Sequence, residues 1–373
     1  MDPHGPIARR FPLVARFRPA CPPLPARVRA LAELADRAAE QNDQGLASTV
    51  FNQAALLASD LGLPDLARSM CHRHAHAYLH ACPLAAMSAI RGLEPLVNLA
   101  RLQIRAGQTD DGRQRLLDLY DSVGTGSPAV FESITVPANL AASPEDRREV
   151  HAWLWRVVLA DGTRTLTTTG RWREALAHIE QHRGVGTRML DGRQVAVVAA
   201  LTGGDREHAA ALLADTTPGE PWEQVVTACL TVLSRRDTGH CHDGIAAELV
   251  DTYLRREAEP GLTVFDTRLG LTVLDAVGPE HPEARRLVED LMRRIMEARN
   301  GYAAREVVPH ALFPALATEH EAQACRDLIR SCGLGAGVLP DELSDDISSA
   351  LDRSEVVLTS SSAARATSNA PIR

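Results

Sequence analysis

The chain has 373 residues, 45% hydrophobic but only 4% aromatic, with a formal net charge of −8. All 40 basic residues are arginine. With no Schiff-base, Walker A or kinase strand lysine available, pyridoxal enzymes, P-loop ATPases and ordinary protein kinases are excluded. The acidic balance makes direct nucleic-acid binding unexpected, and no apolar run is long enough to span a membrane. Seven scattered cysteines without a CxxC spacing read as reduced thiols, which points to a cytoplasmic protein.

In chain order, residues 1–25 form an irregular arm rich in Pro and Arg, without the continuous apolar segment of a signal peptide. An N-terminal helical block follows over 26–123, with helices at 26–40, 46–61 and 63–81. Pro95 is expected to break the next one, leaving a short turn at Met87–Arg91 and a helix over 96–106. Thr109, with Asp110 and Asp111 behind it, opens a helix that runs to Ser122. Residues 124–142 are a long connection, extended at Ile134–Pro137.

Ser143-Pro144-Glu145-Asp146 then places a cap, a first-turn Pro and an acid three residues after the cap. It opens a second block over 143–333. Helices are expected at 144–167, 172–182, 189–202, 206–215, 221–236, 242–257, 264–277, 282–299 and 303–332. Residues 334–373, ending in the low-complexity run from Thr359, are expected to be a mostly disordered tail. Helix after helix with short Gly/Pro joints makes the fold class all-α, with a core of Ala, Leu and Val.

The joints share a pattern. Around Thr169-Gly170-Arg171-Trp172, one helical run arrives at Gly170 and another leaves with Trp172, Ala175, Leu176 and Ile179 on one face. Gly204 lies 34 residues on and is followed by Ala209, Leu212 and Leu213. Gly62 with Ala67 and Gly107 with Gly112 repeat the device: Gly, then a small residue five positions later. On these residues the chain resembles a degenerate tetratricopeptide-like α-solenoid, similar to the helical C-terminal domains of actinobacterial regulators.

That resemblance implies a right-handed superhelical stack of helical hairpins and a non-catalytic scaffold binding a protein or acidic peptide segment. Such a scaffold would be regulatory, or accessory to a biosynthetic pathway. In those regulators the domain follows a DNA-binding helix-turn-helix; residues 1–25 are too short and Pro-rich to hold one. The alternatives are a small-ligand sensor in the superhelical groove and an accessory enzyme using a histidine/acid pair. A long polar groove favours a peptide, a closed apolar one a small ligand.

In such a stack the first helix of each hairpin lines the groove, which nominates Asn98, Arg101, Arg105, Trp155, Arg156, Arg193 and Gln194 for partner binding. Arginine suits this because its planar fork grips carboxylates bidentately. Trp153 and Trp155, two apart on a helix, cannot both face one core, so one is expected at a groove or lateral surface. Three other clusters carry no assignment. His72, His76 and His80 stack at i, i+4 and i+8, a spacing able to chelate zinc or nickel, but the apolar stripe of their helix leaves them on its solvated face. His74 points into the core instead. The group His240-Cys241-His242-Asp243 reads as a helix entrance, and Asp-Gly-Arg-Gln, at 111–114 and 191–194, recurs in different registers. No metal, cofactor or catalytic residue is assigned.

Overall fold

The structure, a computed structural model, describes residues 1–236 and 243–368. Its helices run α1 (Pro6–Arg10), α2 (Leu24–Gln41), α3 (Gln44–Leu61), α4 (Pro64–Leu79), α5 (Ala86–Arg105), α6 (Thr109–Thr125) and α7 (Pro144–Val157). A π-turn over Val158–Gly162 leads into α8 (Thr163–Thr168), α9 (Trp172–Gln181), α10 (Asp191–Gly203), α11 (Arg206–Ala214), α12 (Pro221–Arg236) and α13 (Asp243–Leu254). The series closes with α14 (Thr263–Val277), α15 (Ala284–Glu297), α16 (Gly301–Val307), α17 (Phe313–Leu316), α18 (Glu319–Ser331) and α19 (Asp341–Ser368). One antiparallel hairpin, β1 (Ala129–Phe131) with β2 (Ile134–Val136), pairs Phe131 opposite Ile134. The all-α expectation therefore holds, and so does the extended backbone at Ile134.

The chain divides into two compact units: Met1–Pro23 with Thr163–Cys332 (unit 1), and Leu24–Gly162 with the segment from Gly333 onward (unit 2). The sequence boundary at 124–142 does not coincide with either. The hairpin inside that connection packs on α4 and α6 of unit 2.

Local chemistry explains most of the helix ends. Asp43 caps α3 by accepting from the Gly45 and Leu46 amides, and Ser143 caps α7 by accepting from Asp146 N. Thr318 and Glu321 form a reciprocal capping box on α18. Gly62, Gly107, Gly170 and Gly204 all take positive φ, between 76° and 88°, as their place at helix joints requires. The small residues five positions on are buried: Ala67, Ala175 and Ala209 are each 0% exposed. At Gly112 the reason is direct, because a Cβ there would lie 2.8 Å from the Ala100 carbonyl oxygen on α5.

Several helical expectations need correction. α5 runs unbroken through Pro95. The lost hydrogen bond costs about 3 kcal/mol, whereas Leu93, Leu96 and Leu99 are all fully buried, each contributing roughly 1.5–3 kcal/mol. Burial wins. The expected helix over 144–167 is interrupted by the π-turn, and 303–332 divides into α16, α17 and α18.

The tail is not disordered over the described residues. Gly335 N and Gly337 N donate to the Asp60 and Leu61 carbonyls at 2.7 Å each, satisfying orphan acceptors at the end of α3. α19 then packs on α2 and α3, burying Ile347, Ala350, Leu351, Ser354, Val357 and Leu358. That is the i, i+3, i+4, i+7, i+10, i+11 stripe of one helix face.

Residues 1–23 are not an irregular arm apart from the fold. In unit 1, α1 packs on α8 and α14, and Ala8, Phe11, Leu13 and Cys21 are buried. The reason is long-range bonding, described below.

Candidate binding site

In unit 2, α3, α4, α5 and α7 line a half-open cavity of about 430 Å³. One face of α5 supplies Glu94, Asn98, Arg101 and Arg105, spaced i, i+4, i+7 and i+11 along the helix. Asn52 and Ser59 from α3 face them, while Leu56, Trp153 and Val157 supply apolar wall.

The polar side chains form a relay from Glu94 to Asp161, with an Arg105–Ser59 pair beside it. Asn52 Nδ2 donates to Glu94 Oε2 at 2.7 Å, and Asn98 Nδ2 donates to Asn52 Oδ1 at 3.0 Å. Arg101 donates to Asn98 Oδ1 at 3.1 Å through NH1, and to Asp161 Oδ2 at 3.0 and 2.7 Å through Nε and NH2. Arg105 NH1 donates to Ser59 Oγ. Asp161 reaches Arg101 from the π-turn, a local helix widening that recurs at functional sites. A guanidinium has five N–H donors, and these bonds engage three on Arg101, leaving one hydrogen on each terminal nitrogen. Its side chain is 48% exposed. Arg101 is oriented by its neighbours rather than used up by them.

The two ends of the relay differ in charge. Burial pushes the Glu94 carboxyl upward, opposed by the Asn52 hydrogen bond and by Arg91 and Arg101. The far end holds Arg101, ion-paired with Asp161 at 2.7 Å, and Arg105. Cys71 also lines the cavity, but burial and the nearby Glu132 push its thiol up to about 12. The protonated thiol is a poor nucleophile, and no histidine lines the cavity to activate it.

Of the nominated residues, the structure brings Asn98, Arg101 and Arg105 together. Trp155 and Arg156 lie off the cavity; Trp153 lines it instead. Residues two apart on a helix point about 200° apart, so Trp153 and Val157 share the cavity face while Trp155 and the exposed Arg156 do not. Arg193 and Gln194 belong to unit 1 and are built into it. Arg193 donates to Leu212 O at 2.7 Å and pairs with Asp215 at 3.2 Å. The fully buried Gln194 holds the backbone of Leu13. Sequence reasoning missed Asn52, Ser59 and Glu94, although Glu94 sits one turn before Asn98 on the same face.

The histidine ladder does not converge. His74 stacks on Phe51 with ring centroids 5.1 Å apart, and burial lowers its pKa to about 3. His72 Nε2 meets Glu132 Oε2 at 2.8 Å, while His80 Nδ1 meets the His76 carbonyl oxygen. Among the described residues no group of three His, Cys, Asp or Glu is placed to hold a metal ion. The cluster His240-Cys241-His242 lies outside the described residues. No described helix is long and apolar enough to cross a membrane.

Comparison of the chain with protein-family models, with curated proteins and with solved structures finds no match in any of the three.

Proposed function

We propose that the chain is a non-catalytic, peptide-binding helical scaffold whose unit 2 cavity takes an extended segment carrying an acidic side chain or terminal carboxylate. The row Glu94, Asn98, Arg101 and Arg105 along one face of α5 carries this reading. At 1.5 Å rise per residue, the eleven steps from Glu94 to Arg105 span roughly 16 Å. A free amino acid is too short to engage both ends. A segment of about five extended residues, at roughly 3.3 Å each, matches the row.

In this reading Arg101 and Arg105 receive the carboxylate, Asn98 and Asn52 meet backbone amides, and Trp153 with Leu56 covers an apolar side chain. Glu94 accepts from a donor at the other end. The hairpins with glycine joints suit a right-handed stack of the tetratricopeptide-like kind, and a regulatory or accessory role suits a scaffold with no activated nucleophile in its cavity. Titration calorimetry with a glutamate-rich hexapeptide and its glutamine counterpart tests the reading. Binding of the first should exceed that of the second and weaken at least tenfold, about 1.4 kcal/mol, in an Arg101→Glu, Arg105→Glu variant. Equal binding of both peptides, or unchanged affinity in the folded variant, removes the carboxylate assignment.

A further inference from the structure

The arm over residues 1–23 crosses unit 1 as a bound peptide crosses a receptor. Beyond α1 it has no regular secondary structure, and side chains from distant parts of unit 1 hold its backbone. Gln194 grips Leu13 from both sides: Leu13 N donates to Oε1 at 2.6 Å, and Nε2 donates to Leu13 O at 2.7 Å. Trp172 Nε1 donates to Pro3 O at 3.2 Å, and Cys21 N donates to Asn300 Oδ1 at 3.3 Å. Arg18 N donates to Gly261 O at 2.9 Å, and Gly301 N donates to Cys21 O at 2.8 Å.

The arm's side chains fit the same surface. Phe11 is 0% and Leu13 2% exposed. Arg10 pairs with the half-buried Asp275, Arg16 meets Asp191 at 2.8 Å, and the Arg18 guanidinium sits 4.0 Å from the Tyr302 ring centroid. Two glycines leave room for it: a Cβ on Gly261 would strike the Phe17 ring at 2.2 Å, and one on Gly170 would strike His4 at 2.4 Å.

The connectivity adds a second observation. The arm packs in unit 1, yet the residue after Pro23 begins α2 in unit 2, and the chain re-enters unit 1 only at Thr163. The arm is thus tied to its binding surface through another unit. Its link is Pro22-Pro23, a stiff, extended pair. An element held by non-covalent contacts and joined by a short linker can be exchanged between identical chains.

We propose that unit 1 is a receptor for an extended segment of the pattern aromatic–Pro–aliphatic flanked by arginines, that the chain's own arm is its resident occupant, and that the arm of a second copy can replace it. The inference is independent of the unit 2 cavity. A tethered arm has a local concentration near millimolar, so a trans arm competes only when the resident one is weakened or the chain is concentrated.

The test uses the full chain carrying Leu13→Asp, which weakens the resident arm, and a fluorescent synthetic peptide of native residues 1–21. The variant should bind the peptide and regain thermal stability on doing so. A peptide carrying Leu13→Asp should bind at least tenfold more weakly, and native chain should take up little of either. If the Leu13→Asp chain does not fold, the full chain with Arg16→Glu weakens the arm at an exposed contact and serves instead. Light scattering of concentrated native chain should show a dimer that excess native peptide dissolves. Equal binding of both peptides, no uptake by a folded weakened-arm chain, or a dimer indifferent to the peptide overturns the proposal.

Discussion

The docking of α19 can be tested by a series of three substitutions along one helix. Leu351 is 3% exposed and packs in the core that α19 completes with α2 and α3. Leu351→Ala should cost about 2–5 kcal/mol through lost burial and an unfilled cavity. For a unit of this size each kcal/mol moves the melting temperature by about 2–4 °C, so the fall is on the order of 4–20 °C. Ser354 is 0% exposed, and its hydroxyl has no hydrogen-bond partner among the described residues. Ser354→Ala removes an unsatisfied buried group and should be neutral or stabilising by roughly 1 kcal/mol. Val356 is 63% exposed, and Val356→Ala should lie within about 0.5 kcal/mol of the parent. Melting curves followed by far-UV circular dichroism read all three. A helix not docked on this face would give three similar, small shifts, and that result refutes the packing.

Three further outcomes follow from the same geometry. Ala175→Leu should overpack the joint after Gly170 by about 1–3 kcal/mol, whereas Glu180→Leu on the exposed face of α9 should be near neutral; denaturant titrations with equal midpoints for both would contradict the assigned face. Gly112→Ala should destabilise by a similar amount, since its Cβ would meet α5 backbone, and an unchanged melting temperature would show that α6 can move away. The third outcome concerns pH. Because burial lowers the His74 pKa to about 3 from 6.5, the unfolded chain binds the extra proton between those values. Stability should therefore fall as pH drops from about 6.5 towards 3, by at most about 1.4 kcal/mol per pH unit from this group. His74→Leu should flatten that part of the profile; an identical acid slope in parent and variant would rule the residue out as its source.

Much of the helical order is legible locally. The Ser143 cap, the glycine joints and the inward-facing His74 depend on residues within a turn or two of each other, and the structure agrees at each. The α5 trio was nominated because the tetratricopeptide-like resemblance puts the first helix of a hairpin on the groove, and helical spacing then sets Asn98, Arg101 and Arg105 along one side of it. The Pro95 break failed because one lost hydrogen bond is outweighed by leucines on a helix that packs against α3, α4, α6 and α7. α19 was obscured because Ser and Asp fill the positions around its apolar stripe, and Ser354 occupies one place within it. The arm was illegible for a different reason: its partners, Gln194, Asp275 and Asn300, lie 181, 265 and 279 residues away in sequence. Nothing in a Pro- and Arg-rich segment announces them. Trp155 was chosen over Trp153 because the local pattern could not set the phase of α7 against α5.

The cavity along α5 is proposed to select a carboxylate-bearing extended segment. Selection of a random displayed-peptide library on the full chain tests it without presupposing a partner. The recovered peptides should be enriched in Asp or Glu at one end. Their affinity should fall at least tenfold, about 1.4 kcal/mol, on Arg101→Glu with Arg105→Glu in a chain of unchanged circular dichroism. Recovered peptides without acidic residues, or acidic peptides that bind the charge-reversed chain equally well, would contradict it.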